Sequence, residues 1–249
     1  MIVHAIMPEY NELIGVSYEV ILMHIDLITI ILAYLIGCFS MSHLISKVKG
    51  INLKEQGSKN YGASNTLALI GKRAGAAVLI SDILKVIIAV LLCRKLNTFM
   101  IDTGIIYKGI PHITLNVSYD NIILDMLYGV SAILGHIFPM YLKFKGGKGF
   151  ASYIGLLFVI SFRSPTVLII LMIALIMAVI SNYIVAATFT VITLTPIYVM
   201  CTENIVAGLV LLIVSLIIFM KHFENIEHIK DGTEMKIREA FKNKYKHEK

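Results

Sequence analysis

Seven apolar runs, at about 25–46, 74–93, 122–142, 150–162, 166–181, 183–200 and 205–220, decide the solvent of this chain before any motif is read. In hydrocarbon every backbone N–H and C=O must be satisfied internally, so runs of this kind predict helices. With 57% hydrophobic and only 15% charged residues, a water-soluble domain is excluded. The net charge of +6 suits anionic lipid at a membrane surface better than nucleic acid.

The cations set the direction of threading. Lys47, Lys49, Lys54, Lys59, Lys72 and Arg73 lie between the first two runs, and Lys143, Lys145 and Lys148 lie between the third and fourth. Lys221, Lys230, Lys236, Arg238, Lys242, Lys244, Lys246 and Lys249 follow the last run, while the other loops hold only Arg94, Lys95, Lys108 and Arg163. The positive-inside rule puts the three rich segments in the cytoplasm and the N-terminus outside. Seven crossings satisfy that arrangement; if the short fourth run did not cross, the basic tail would emerge on the wrong side. One helix through the fourth and fifth runs would be about 45 Å long against a core of about 30 Å, so Arg163-Ser164-Pro165 reads as a hairpin turn. The expectation is an all-α integral membrane protein, a seven-transmembrane-helix bundle. It divides into an external segment (1–24), a membrane domain (25–221) and a cytoplasmic basic tail (222–249).

The remaining pieces say less. Residues 96–121 read as an outside loop with a short strand at 113–117, and the Asn116 sequon reads as chance. Ile237, Phe241 and Tyr245 fall at helical spacing in the tail, which suits a helix on the inner leaflet or a solvated tail. The first 20 residues carry Glu9, Glu12 and Glu19 without Lys or Arg, so no cleavable signal is expected. Cys38, Cys93 and Cys201 lack metal-ligand spacing and read as packing residues; no metal and no cofactor are expected.

Chemistry is expected in four polar clusters. From Lys143 to Gly149, three lysines and three glycines in seven positions predict a flexible cationic loop whose amides turn toward an anion, most naturally phosphate. The stretch begins at Gly135-His136-Ile137-Phe138-Pro139. In the first cytoplasmic segment, Lys54-Glu55-Gln56-Gly57-Ser58-Lys59-Asn60-Tyr61-Gly62-Ala63-Ser64-Asn65 is rich in small donors. Ala63 stands where a nucleotide-binding P-loop needs its lysine, so that motif is excluded. Asp82 and Lys85, one turn apart within the second run, form either a packing pair or a substrate contact. His222 and Asn225 share a helix face where the last run meets the cytoplasm. His24 and Asp26, near the outer end, are given no role.

Together these residues resemble the integral membrane acyl-phosphate:glycerol-3-phosphate acyltransferase (PlsY) family from about 33 to 234. The resemblance is carried by Gly135 to Pro139 with Lys143 to Gly149, and by Gly57-Ser58, Asn60, Gly62-Ala63 and Asn65. Asp82 with Lys85, His222 with Asn225-Ile226, and Gly232-Thr233-Glu234 support it. It implies a seven-helix enzyme of phospholipid synthesis in the plasma membrane. Its partners would be acyl phosphate, glycerol 3-phosphate and membrane lipid, its products lysophosphatidate and phosphate. By position, Lys148 with the Gly146 and Gly147 amides would hold phosphate, aided by Lys54, Gly57, Lys145 and Gly149. Ser58, Asn60 and Asn65 would orient the acceptor, and His222 and Asn225 would close the site. Ser40, Asp82, Lys85, His136 and Thr188 would support it, and the leaving phosphate could take the hydroxyl proton.

Five changes, at six positions, depart from the family pattern. Cys38 replaces a serine, which by position would put its thiol in the catalytic set with His222, Asn225 and Lys148, with Ser40 or Ser42 as stand-ins for the hydroxyl. Lys54 replaces an arginine and Lys59 a glycine, Val185 and Thr188 stand for a serine pair, and Phe223 for a second arginine. A transporter or binding protein for a phosphorylated small molecule, or a paralogue with altered or lost activity, are the competing readings. The transporter reading is weakened because all four clusters face one side.

Overall fold

The structure is a computed structural model and describes residues 8–102, 122–161 and 164–242. The expected strand at 113–117, the Asn116 sequon, Arg163 and Tyr245 lie outside these residues. Among the described residues the fold is entirely helical. α1 (Pro8–Cys38), α2 (Met41–Lys49), α3 (Ala63–Leu69) and α4 (Lys72–Asp102) form the first part of the chain. α5 (Ile122–Ile137), α6 (Phe150–Ser161), α7 (Thr166–Ser181), α8 (Ile184–Thr202) and α9 (Ile205–Lys221) follow, with α10 (Phe223–Lys230) and α11 (Ile237–Lys242) in the tail.

The first apolar run is not one uninterrupted helix. At Phe39 the ladder stops, and Ser40, in extended conformation, caps α2 by accepting the His43 N–H at 3.3 Å. Gly50 then ends α2 in the left-handed region at φ 66°, sending its N–H back to Lys47 O. Residues 96–102, expected in the outside loop, instead prolong α4.

Four helical stretches are long and apolar enough to cross a membrane: Met23–Lys49, Lys72–Met100, Ile122–Leu142 and Ile184–Thr202. α9 and α10, bent by 41° across His222, make a fifth if they count as one broken span. α6 and α7 are shorter; the 12 residues of α6 reach about 18 Å.

Small residues let these helices touch backbone to backbone. α1 crosses α5 where Gly37 lies on the Ala132 carbonyl and Gly135 on the Tyr34 carbonyl, so a methyl group at either position would collide. In hydrocarbon, where apolar contact with lipid is equally available, such close approach is a main source of helix association. α4 packs against α1, α5 and α6; α8 packs against α7 and α9, and α5 against α9 joins the two groups. Cys38 and Cys93 are buried as expected, whereas Cys201 is exposed.

The end of the bundle away from the glycine loops is tied by polar bonds. Arg94 grips Asp125 at 3.0 and 2.5 Å, and Asn97 Nδ2 donates to Asp26 Oδ1 at 2.7 Å. Asp26, given no role from sequence, thus links α1 to α4.

Candidate active site

The 135–149 stretch folds into a bonded turn rather than a flexible loop. After a 3-10 turn (Met140–Leu142), Lys143 and Phe144 both adopt the left-handed region, at φ 53° and 59°, and reverse the chain. Every backbone N–H from Leu142 to Gly147 donates within the stretch, Gly146 to Ile137 O at 3.0 Å and Gly147 to His136 O at 3.1 Å. The expectation that these two amides face an anion is therefore corrected: they satisfy the last carbonyls of α5. Their glycine identity has a steric reason, since Cβ atoms would strike the His136 carbonyl and imidazole. The turn aims Lys148 at the tail.

Lys148 Nζ donates to Asn225 Oδ1, and Asn225 Nδ2 donates to Glu234 Oε1 at 2.7 Å. Glu234 thus fixes which way the Asn225 amide points. Burial holds the Lys148 ammonium below the usual lysine value, against the opposing pull of Glu224 and Glu234. At the bend between α9 and α10, the His222 ring approaches Ile218 O at 2.8 Å through Nδ1. A carbonyl only accepts, so Nδ1 carries the hydrogen and Nε2 keeps its lone pair. Burial pushes His222 down to about 4, helped by the Lys148 charge and resisted by the Ile218 bond. Phe189 meets the ring edge-on, 6.4 Å between centroids.

The first glycine loop is organised by Asn65. Its Oδ1 accepts the Ser58 N–H at 2.9 Å, and its two Nδ2 hydrogens are shared among Leu53 O (2.9 Å), Asn60 O (3.0 Å) and Gln56 O (3.2 Å). That carboxamide is spent on the loop backbone. Gly57, at φ 59°, lies against the same carboxamide, where a side chain would not fit. Asn60 Nδ2 holds Ser58 through its carbonyl (2.8 Å) and hydroxyl (2.9 Å). Lys59 adopts φ 48°, which accounts for the glycine expected there. The loop meets the second stretch where Lys54 Nζ donates to Gly146 O at 3.3 Å and lies 5.1 Å from the Tyr61 ring centre. Lys54 is lowered to about 8, by burial first and then by the Lys221 and Lys145 charges. Lys145 is exposed beside it, and Gly149, at φ 95°, packs on Ile137 and Ile218.

The remaining predicted residues lie deeper. Lys85 Nζ reaches Asp82 Oδ1 at 2.9 Å, Phe39 O at 2.9 Å and His136 Nδ1 at 2.8 Å. Three donors thus meet three acceptors, and the bond to Phe39 O secures the break between α1 and α2. Cys38 and Ser40, beside that break, line a cavity of about 480 Å³ with Leu35, Phe39, His43, Leu44, Met140 and Tyr141. They touch Lys148 through no direct bond; the path runs from Phe39 O through Lys85 and His136 to Gly147. Thr188 is buried and donates to Ile184 O in its own helix at 3.2 Å. It joins neither loop, although the next residue, Phe189, carries the ring on His222.

Sequence reading left three contributors out of the site. Glu234 was visible only as part of a matching tripeptide, and Tyr61 gave no signal beyond its place in the loop. His43 is four residues before Lys47 in α2 and lines the cavity with a buried Nδ1 that has no hydrogen-bond partner among the described residues.

Two glycine-bearing turns, a line of lysines and a neutral histidine at one end of an apolar helix bundle define a membrane-embedded phosphate-handling protein. Residues 27–232 match the family described as glycerol-3-phosphate acyltransferase, and the chain belongs to that family. It is 32% identical over 213 residues to glycerol-3-phosphate acyltransferase of Coxiella burnetii, covering 85% of this chain and 98% of that one. Glycerol-3-phosphate acyltransferase 2 of Thermotoga maritima is 31% identical over 208 residues, covering 83% and 94%. The fold is similar to crystal structures of PlsY, an integral membrane glycerol 3-phosphate acyltransferase. Its glycerol 3-phosphate form gives a TM-score of 0.69 and its lysophosphatidic acid form 0.66, each at 26% identity over 88% of this chain and 99% of that one.

Proposed function

We propose that this chain transfers a fatty acyl group from acyl phosphate to the 1-hydroxyl of glycerol 3-phosphate, giving lysophosphatidate and phosphate for phospholipid synthesis. The observation that carries this reading is the convergence of Lys148, Asn225 and His222 with the Lys54 loop, in a chain matching the acyltransferase family over nearly all of its apolar length.

The chemistry asks for positioning more than for a nucleophile. A mixed anhydride is already activated, so cations that gather two phosphates and stabilise charge at the carbonyl supply most of the acceleration. Lys148, Lys54 and Lys145 hold phosphate oxygens. The Asn65-built loop presents Ser58 and Asn60 to the acceptor, and Asn65 acts through that loop. His222 Nε2, with a pKa of about 4, holds no proton at neutral pH. It accepts the hydrogen bond of the attacking hydroxyl and orients it, and the proton passes to the leaving phosphate. As the ester C–O bond forms, the acyl C–O bond to phosphate breaks. Asp82, Lys85 and His136 support the turn from beneath, next to Cys38 and Ser40.

The arrangement of lysines supports seven crossings, with the N-terminal segment outside, the tail and the site on the cytoplasmic face, and the plasma membrane as location. In the test, purified protein receives palmitoyl phosphate and glycerol 3-phosphate. Lysophosphatidate is expected, and Lys148→Ala abolishes it. Absence of product with every acyl donor would overturn the reading, and uptake of labelled glycerol 3-phosphate into proteoliposomes without turnover would replace it with transport.

A further inference from the structure

Three lysines gather on one patch of the second glycine stretch. Lys54 Nζ donates to Gly146 O at 3.3 Å. Lys221 Nζ lies 4.7 Å over the centre of the Phe138 ring. Those two anchor points are neighbours, because the Gly146 N–H donates at 3.0 Å to the carbonyl of Ile137, the residue before Phe138. Lys145 adjoins Gly146 directly. Lys54 and Lys221 are half-buried, so water screens them less than it does free surface lysines.

None of the three forms an ion pair among the described residues, unlike Lys85 with Asp82 and Lys236 with Glu239. Lys148 is different: it donates one of its hydrogens to Asn225 and lies near Glu224 and Glu234. Like charges gathered together repel one another: burial is the first cause of the lowered proton affinity of Lys54, and the Lys221 and Lys145 charges lower it further. Three lysines on neighbouring parts of one stretch, close enough for Lys221 and Lys145 to act on Lys54, suit the three terminal oxygens and double charge of a phosphate monoester better than a singly charged carboxylate. The aromatic face beneath Lys221 holds its ammonium in place without neutralising it.

We infer that Lys54, Lys145 and Lys221 form a seat for a terminal phosphate dianion, distinct from the Lys148–Asn225 contact, with Lys221 as its third cation. The inference rests on the acyltransferase reading and deepens it, since both the acyl donor and glycerol 3-phosphate carry such a group. Lys221 immediately precedes His222, so phosphate binding and hydroxyl orientation are coupled through one bend.

The test uses full-length purified protein with Lys221→Gln, which keeps the stem over Phe138, and Lys221→Arg, which keeps the charge. KM is measured separately for palmitoyl phosphate and glycerol 3-phosphate, and glycerol 3-phosphate binding alone is measured by calorimetry. Lys221→Gln is expected to raise one KM by about tenfold with kcat nearly unchanged, and Lys221→Arg to restore it. The substrate whose KM moves identifies the phosphate in the seat. The alkaline limb of kcat/KM should also shift to higher pH in Lys221→Gln, because a charge repelling the Lys54 proton is gone. Unchanged KM for both substrates, unchanged binding and an unmoved limb would make Lys221 a packing cation and overturn the inference. If no acyl transfer is found but glycerol 3-phosphate binds and Lys221→Gln weakens it, the seat stands and the enzymatic reading falls.

Discussion

Two polar clusters lie within a few residues of His136 and obey opposite rules. In the buried one, the Lys85 ammonium is matched by Asp82, Phe39 O and His136 Nδ1, all within 2.9 Å. Around the half-buried Lys54 and Lys221 and the exposed Lys145 the same kind of cation gathers with no ion-paired carboxylate among the described residues. The difference teaches how to read charge in a membrane protein. Burial with full compensation marks a fastening within the fold, whereas a surplus of one sign at the surface marks a place for something the chain does not supply.

The largest effect that would break this contrast belongs to the buried cluster. Lys85→Ala removes the ammonium from Asp82, leaving it His136 Nδ1 at 3.3 Å, and should destabilise the protein by about 3 kcal/mol, seen as a lower Tm in detergent; Asp82→Leu with Lys85→Met should recover most of the loss. If Lys85→Ala instead kept its Tm while activity vanished, the cluster would belong to the chemistry. Next is Glu234→Ala, which removes the acceptor of Asn225 Nδ2 and frees the Asn225 amide to turn its Oδ1 away from Lys148. A fall in kcat/KM of about tenfold to a hundredfold is expected, the size of a charged hydrogen bond, with the protein still folded by gel filtration. The pH profile sharpens the surface side. Lys54 is charged below about 8 and loses its charge above it, so kcat/KM for glycerol 3-phosphate should decline as pH rises through 8, and Lys54→Arg should carry full activity to higher pH. The smallest effect is Lys59→Gly. Relief of the left-handed backbone should stabilise by up to about 1 kcal/mol, read as a small rise in Tm without loss of turnover.

The helices were legible because apolar length is a property of the sequence alone. The runs at 166–181 and 205–220 reappear as α7 and α9 within a residue at each end. The break at Phe39–Ser40 was not legible, since neither residue is a proline or glycine and the bond that secures it comes from Lys85, 46 positions away. In the site, the residues brought together were visible as motifs, but their spare bonding capacity was not. Asn65, Gly146 and Gly147 looked like free donors, and only the fold shows their hydrogens already committed. Lys59 shows the complementary case: the sequence displayed a departure from glycine, and the backbone angle supplies its meaning.

The tail adds a matter of timing. Ile237 N–H donates to Asn182 O at 2.9 Å, and the Arg238 N–H donates to the same residue's Oδ1 at 2.9 Å, so the segment carrying Glu234 is fastened to the turn between α7 and α8. Glu234 is translated after every apolar helix. A chain interrupted before it can enter the bilayer with both glycine turns in place, yet Lys148 and Asn225 remain without the carboxylate that aligns them. Completion of the Lys148–Asn225–Glu234 line thereby reports that synthesis has run past the last membrane helix.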